Sequence, residues 1–227
     1  RSHAFYHDHG VGAADVRVHD CHFYSHGSGD SSGTNAVKCE SSTKVYRCRI
    51  FDGVGDKATM MQSSDPSGED VIVHWWNNLI YDGPGKDAGL KQMAYDNGSV
   101  TIYATGNTCH NFDDAGIWIS ANSANVSGTL RNNILTDSKR GIRADGSLSL
   151  LDSDYNCVTG MKSDVCYRAG SGRTWSKWQS LGHDTHGLNT DPLYTDSANN
   201  DYTLRSTSPA LGAGVALTSS KSGADPA

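Results

Sequence analysis

Four of the chain's 19 basic residues, Arg131, Lys139, Arg140 and Arg143, fall within 13 positions of an otherwise acidic sequence. Carried on neighbouring strands, they would form a strip of donors suited to the carboxylates of an anionic polysaccharide. A solvated turn is the other reading of the same residues. The histidines offer a second chemistry, since eight of the ten precede Asn111. His7 and His9 would share one side of an extended strand, with His19, His22 and His26 close behind, and imidazole suits zinc or copper. His3, third from a free amino terminus, would add a copper ligand, although the spacing meets no established metal pattern. The aromatics Trp75, Trp76, Tyr81, Tyr95, Tyr103 and Trp118 offer flat faces to sugar rings. Of two adjacent tryptophans in a strand only one points inward, which leaves Trp76 for a sugar or for an overlying loop. Asp113 and Asp114, with an aspartate such as Asp137, could supply a glycosidase pair, whose carboxylates must stand about 5–9.5 Å apart.

The elements that must position these groups are read from a repeat. Asn78, Asn107, Asn133 and Asn156 each follow a short β-prone run and precede a turn, and Cys21 and Cys48 hold the same place in two earlier copies. The six copies recur at intervals of 23 to 30 residues, a period that marks a solenoid. Inward asparagines one coil apart would pass a side-chain amide hydrogen bond along the stack. Strands are expected at 15–19, 44–51, 70–76, 99–104, 116–120, 127–135, 141–144 and 147–152, punctuated by Gly and Asp. Helical periodicity shows only at 171–181, starting from a Thr174 cap. Residues 1–160 are therefore assigned to coils, and 161–227 to an irregular tail packed on them with one short α-helix.

Composition agrees. With 25 glycines and only 36% apolar residues, the chain is poorly suited to a helical bundle, whereas a solenoid turns many polar corners at its surface. A net charge of −6 argues against a nucleic-acid partner. No apolar run approaches the length of a membrane span. The even count of six cysteines is compatible with an oxidising compartment. Cys157 and Cys166 are placed to close a surface loop, and Cys21 and Cys48 to form either a disulfide or an unbonded stack.

Here the chain resembles the C-terminal part of a secreted right-handed parallel β-helix protein of the pectate-lyase-like superfamily. The resemblance rests on Trp175-x-x-Trp178-x-x-x-Gly182, on Asp191-Pro192-Leu193-Tyr194, on Asn200-Asp201-Tyr202-Thr203-Leu204, and on Ser208-Pro209-Ala210 with Gly212 and Gly214. It implies an all-β, right-handed parallel β-helix of about six rungs, roughly 30 Å long at ~4.8 Å per rung, closed by the tail. Such proteins usually begin with a capping helix. Here the first rung starts almost at once, so it is expected to be covered by residues 1–14, covered by a partner, or cut from something longer.

The segments Gly85 to Lys91 and Phe112 to Trp118 further resemble the stacked Asp-Gly motifs of calcium-dependent pectate lyases. That resemblance implies Ca2+ held by Asp87, Asp113 and Asp114, with Arg143 where the family places its proton-abstracting base and Lys91 as the fallback. Ile117 stands where the family has a further aspartate. The implied reaction is β-elimination: calcium neutralises the uronate carboxylate and a cationic side chain of lowered pKa removes the C5 proton. An Asp-x-Gly turn entering a strand is the structural alternative. The expectation is thus a secreted protein that binds an acidic polysaccharide through Arg131, Lys139, Arg140 and Trp76 and cleaves it. A non-catalytic adhesin or filament module, self-associating through its open N-terminal rung, is the alternative.

Overall fold

A computed structural model describes residues 5–7, 16–24, 35–39, 41–52, 61–65, 71–83, 85, 87–94, 99–121, 125–145, 150–168 and 170–217. Its strands run in threes. Ala88–Ala94, Ser99–Thr105 and Thr108–Phe112 form one coil, and Ala115–Ala121, Asn125–Arg131 and Ile134–Thr136 lie directly over them in the next. Every third strand joins the same sheet. Sheet I has eight strands, and sheets II and III have six each. All pairings in them are parallel except the last of sheet I, where Ser171–Arg173 turns back on Cys166–Arg168. The chain is a parallel β-solenoid, as the asparagine repeat implied. Parallel pairing continues past residue 160, because Cys166–Arg168 still adds to Arg140–Asp145.

The corner between sheets II and III explains the repeat. Asp20, Arg47, Asn77, Gly106, Asn132 and Tyr155 all adopt left-handed backbone, with φ between 51° and 66°. Each immediately precedes one of the repeat positions. One such residue turns the chain and aims the next side chain at the core, a conformation that Asn, Asp and Gly reach most easily. It also splits two expected strands. The stretch 44–51 becomes Thr43–Tyr46 and Arg49–Ile50, and 127–135 becomes Asn125–Arg131 and Ile134–Thr136. A second left-handed series, Asp52, Asp82, Asn111, Asp137 and Gly160, lies at or just beyond the C-terminal ends of the strands of sheet III.

The inward asparagines form a continuous ladder. The Nδ2 of Asn78 donates to Asn107 Oδ1 at 2.9 Å, that of Asn107 to Asn133 Oδ1 at 3.0 Å, and that of Asn133 to Asn156 Oδ1 at 2.9 Å. Each Oδ1 also accepts the backbone N–H of the residue one coil earlier. The remaining Nδ2 hydrogens go to the carbonyls of Val45, Trp75, Ala104 and Leu130. These polar groups are buried and fully paired, which is the condition for tolerating them in a core. The terminal acceptor is a carboxylate. Asp184 Oδ1 takes Asn156 Nδ2 at 2.7 Å, and its Oδ2 takes Trp178 Nε1 and Ser153 Oγ. Burial raises the Asp184 pKa, opposed by these hydrogen bonds.

Around the ladder, apolar columns run along the solenoid: Ile50, Ile80, Cys109, Leu135 and Val158 in sheet III, and Leu90, Ile117, Ile142 and Cys166 in sheet I. Each fully buried Ile or Leu contributes roughly 1.5–3 kcal/mol. Trp75 is inward and core, next to the small Ala104 of the following coil. The tail closes the end. Helix Trp175–Gln179 starts from Thr174, whose hydroxyl accepts the Lys177 N–H, and it buries Trp178. Residues 184–189 pair across the last strands through Asp184 N to Ser153 O and Asn189 Nδ2 to Val158 O.

None of the six cysteines is in a disulfide, which corrects the expected Cys157–Cys166 link. Cys157 donates to the Thr190 carbonyl beside sheet III, while Cys166 belongs to the apolar column of sheet I. Cys21 and Cys48 are the unbonded alternative, each thiol donating to a backbone carbonyl. Among the described residues no helix is long and apolar enough to cross a membrane.

Candidate functional site

Outward positions of sheet I bring four side chains into one row. Lys91, Trp118, Arg143 and Tyr167 are register partners in successive strands. Their neighbours in sequence, such as Ile117, Ile119, Ile142 and Ala144, point inward and are fully buried, so the period of two exposes the row. Cation and aromatic alternate along it. Lys91 Nζ lies 3.6 Å from the centre of the Trp118 ring, and the Arg143 guanidinium carbon 3.9 Å from it. Arg143 also reaches Tyr167 at 5.7 Å, and Arg140 sits over that ring at 4.6 Å.

Carboxylates flank the row. Asp114 receives both Arg140 Nη1 and Arg143 Nη1. Asp145 Oδ2 accepts Arg143 Nε at 2.9 Å and Trp118 Nε1 at 2.8 Å. Asp87 Oδ2 is 3.8 Å from Lys91 Nζ, and Asp164 Oδ2 is 3.6 Å from Arg140 Nε. Three cations thus face four carboxylates, so the face is a mixed network and not a bare basic strip. Lys91 is nearly buried, at 8% exposure. Burial lowers its pKa, opposed by Asp87 and reinforced by the charge of Arg143. An amine so placed is neutral in a larger fraction than a solvated lysine, and only the neutral amine can accept a proton.

The expected site residues divide. Asp87, Lys91, Asp114, Arg140 and Arg143 come together, and the N–H groups of Asp114 and Ala115 donate to Asp87 O one coil away. Asp113 is exposed and accepts the Gly85 N–H at 2.9 Å. The Lys139 side chain is exposed at the turn before Arg140. Arg131 belongs to sheet II, where it pairs with Asp152 at 2.8 Å and lies over Tyr155. Trp76 is also on sheet II. It is buried to 8% exposure and stacked on Tyr46 at 4.1 Å, with Tyr46 stacked in turn on His19.

Among the described residues no three His, Cys, Asp or Glu side chains gather as a metal ion would require. Asp114 is engaged by two guanidiniums, Asp113 by a backbone amide and Asp87 by an amine, so the three as arranged do not fit calcium, which wants six to eight oxygens. His19 is held by Asp20 and Tyr46, and His22 is exposed. His3, His9 and His26, like Tyr95, lie outside the described residues, and so does the side chain of His7. Tyr167 and Asp145 were missed from sequence, although Tyr167 lies one coil interval after Arg143.

The fold and this face define a parallel β-solenoid with an ionic and aromatic row along one sheet. No protein-family model, curated protein or solved structure matches the chain.

Proposed function

We propose that the sheet I face binds an acidic polysaccharide along the solenoid and cleaves it by β-elimination, with Lys91 as the proton acceptor, in a protein secreted from its cell. The observation that carries this reading is the row itself: a nearly buried lysine of lowered pKa and an arginine, one on each neighbouring coil of a shared tryptophan. Arg143 and Arg140 present planar donor forks that match a uronate carboxylate. Binding there exchanges part of the Asp114 contact for a ligand carboxylate of the same charge. In the reaction Lys91 Nζ takes the C5 proton and the freed electron pair forms the C4–C5 double bond. The C4–O bond breaks, and the leaving oxygen takes a proton from water. Arg143 holds the carboxylate on which charge accumulates as the proton leaves.

The test is the growth of ultraviolet absorbance from unsaturated uronides on polygalacturonate or alginate, with and without a chelator, alongside affinity electrophoresis in gels of the same polymers. Lys91→Met should abolish product while keeping retardation in the gel, and Arg143→Gln should weaken both. Activity that vanishes with chelator would restore calcium bridging between the carboxylates. No retardation by any uronic-acid polymer sinks the proposal. The second reading, a structural module, draws on one observation: strands Phe5–His7, Val16–His19 and His22–Phe23 stand at the edges of their sheets among the described residues. Unpaired parallel edges are templates for another chain. Concentration-dependent assembly without polymer binding would favour it.

A further inference from the structure

A cavity of about 360 Å³ lies where sheet III meets the hairpin formed by Tyr194–Asp196 and Asp201–Leu204. It shares no residue with the sheet I row and does not depend on the function proposed there. Its chemistry differs too. Asp137, Asp191 and Arg205 line it, with Thr136, Thr159 and Tyr194. We propose that this cavity binds one neutral sugar ring, such as the end or side branch of a glycan.

Three features select that ligand. The volume falls in the range of small-molecule sites, about 300–1,000 Å³. Two carboxylates against one guanidinium leave net negative charge, which disfavours uronates, sulfated sugars and phosphates. The polar groups retain capacity for hydroxyls. Asp191 uses Oδ1 on the Leu193 N–H, and Arg205 uses Nη2 on the Thr195 carbonyl, so the other oxygen and the other guanidinium nitrogens are left for a ligand. Vicinal hydroxyls donate to a carboxylate in pairs, and an arginine donates to the ring or exocyclic oxygens. Pro192, Leu193 and Tyr194 supply an apolar wall for the C–H face of a sugar.

The site is also held in shape. Asp137 sits in left-handed backbone at φ 56°, and its Oδ2 lies 3.4 Å from His110 Nδ1. The same His110 nitrogen contacts Thr136 Oγ1 at 2.9 Å, and Thr136 Oγ1 in turn contacts the Tyr194 hydroxyl. This chain fixes Thr136 and Asp137 from behind. Gly160 makes room for the carboxylate, since a Cβ there would meet Asp137 Oδ1 at 2.3 Å.

The test is amide chemical-shift mapping of the full chain with neutral methyl glycosides and the matching methyl uronates. Saturable shifts at Thr136, Asp137, Thr159 and Leu193 are expected with neutral glycosides, with a dissociation constant on the order of a millimolar. Asp137→Asn, which suits the left-handed backbone, should weaken binding at least about tenfold without moving the thermal midpoint. Arg205→Gln, at an exposed residue, is the second variant should the first disturb folding, and it too should weaken binding. Stronger binding of the uronate, shifts confined to the sheet I face, or no shifts up to about 50 mM would each overturn the assignment. Loss of polymer binding at sheet I would leave these shifts untouched, so the two proposals fail separately.

Discussion

His183 is a side chain whose charge state the folded tail constrains. It is buried against Trp178 at 4.3 Å, and its Nε2 lies 2.9 Å from Arg168 Nη1. A guanidinium only donates, so Nε2 must accept, and the ring must be neutral. Burial first and the charge of Arg168 second hold its pKa below the ordinary 6.5, against a smaller opposing pull from Asp152. The folded pKa therefore lies below the unfolded one, and as pH falls through about 6.5 the unfolded chain takes up more protons. Stability is full above that pH and is lost below it. Urea midpoints measured on descending from neutrality should fall, and His183→Gln should flatten the fall in part. Half-buried His110 is shifted the same way by its own desolvation and retains the remainder. Residue identity alone does not disclose this, because His183 becomes special only once the tail folds over the last coil.

At the scale of elements, the ladder and its left-handed corners are one device. The asparagines were legible because their side chains repeat in sequence with the coil. The corners were less so, since the six residues that occupy them are Asp, Arg, Asn, Gly, Asn and Tyr. Arg47 and Tyr155 carry no sign of the conformation they adopt. The ladder predicts its own extension. Cys48 already donates its N–H to Asn78 Oδ1 at 3.0 Å, and its thiol leans on the carbonyls of Tyr46 and Val18. In Cys48→Asn, the new Nδ2 would reach Val18 O and Asn78 Oδ1 as Asn78 reaches Val45 O and Asn107 Oδ1. A neutral buried hydrogen bond is worth about 1 kcal/mol net, so the thermal midpoint should rise by roughly 2–4 °C in calorimetry. A fall in midpoint would show that the Cys48 position does not continue the ladder.

For the whole molecule, stability comes from coils stacked on coils, with no covalent staple. None of the six thiols is in a disulfide, five of them are buried, and burial raises the Cys48 and Cys157 pKa values to about 11. Thiolate is the reactive form. A thiol reagent should therefore titrate only Cys21 in the native protein and all six after denaturation, and reductant should leave the thermal midpoint unchanged. A midpoint that drops with reductant would mean that a disulfide holds the coils. The same stacking assembles the two proposed sites. Sheet I gathers Lys91, Trp118, Arg143 and Tyr167 from four coils, and the cavity at sheet III joins two coils to the tail hairpin.

Parallel solenoid architecture was readable from the chain's own letters, because an inward amide every 23 to 29 residues has a structural meaning wherever it falls. So were the α-helix Trp175–Gln179 and its Thr174 cap, both local features of a few neighbouring residues. Which charges would meet was not readable. Arg131 and Arg143 look alike in sequence, yet one side chain pairs with Asp152 on sheet II and the other with Asp114 and Asp145 on sheet I. The difference lies in which sheet a strand joins and which way its side chains alternate, and the left-handed residues at the ends of sheets II and III help set both. Asp184 teaches the same lesson, since nothing nearby in sequence marks it as the last acceptor of an asparagine chain that begins more than a hundred residues earlier.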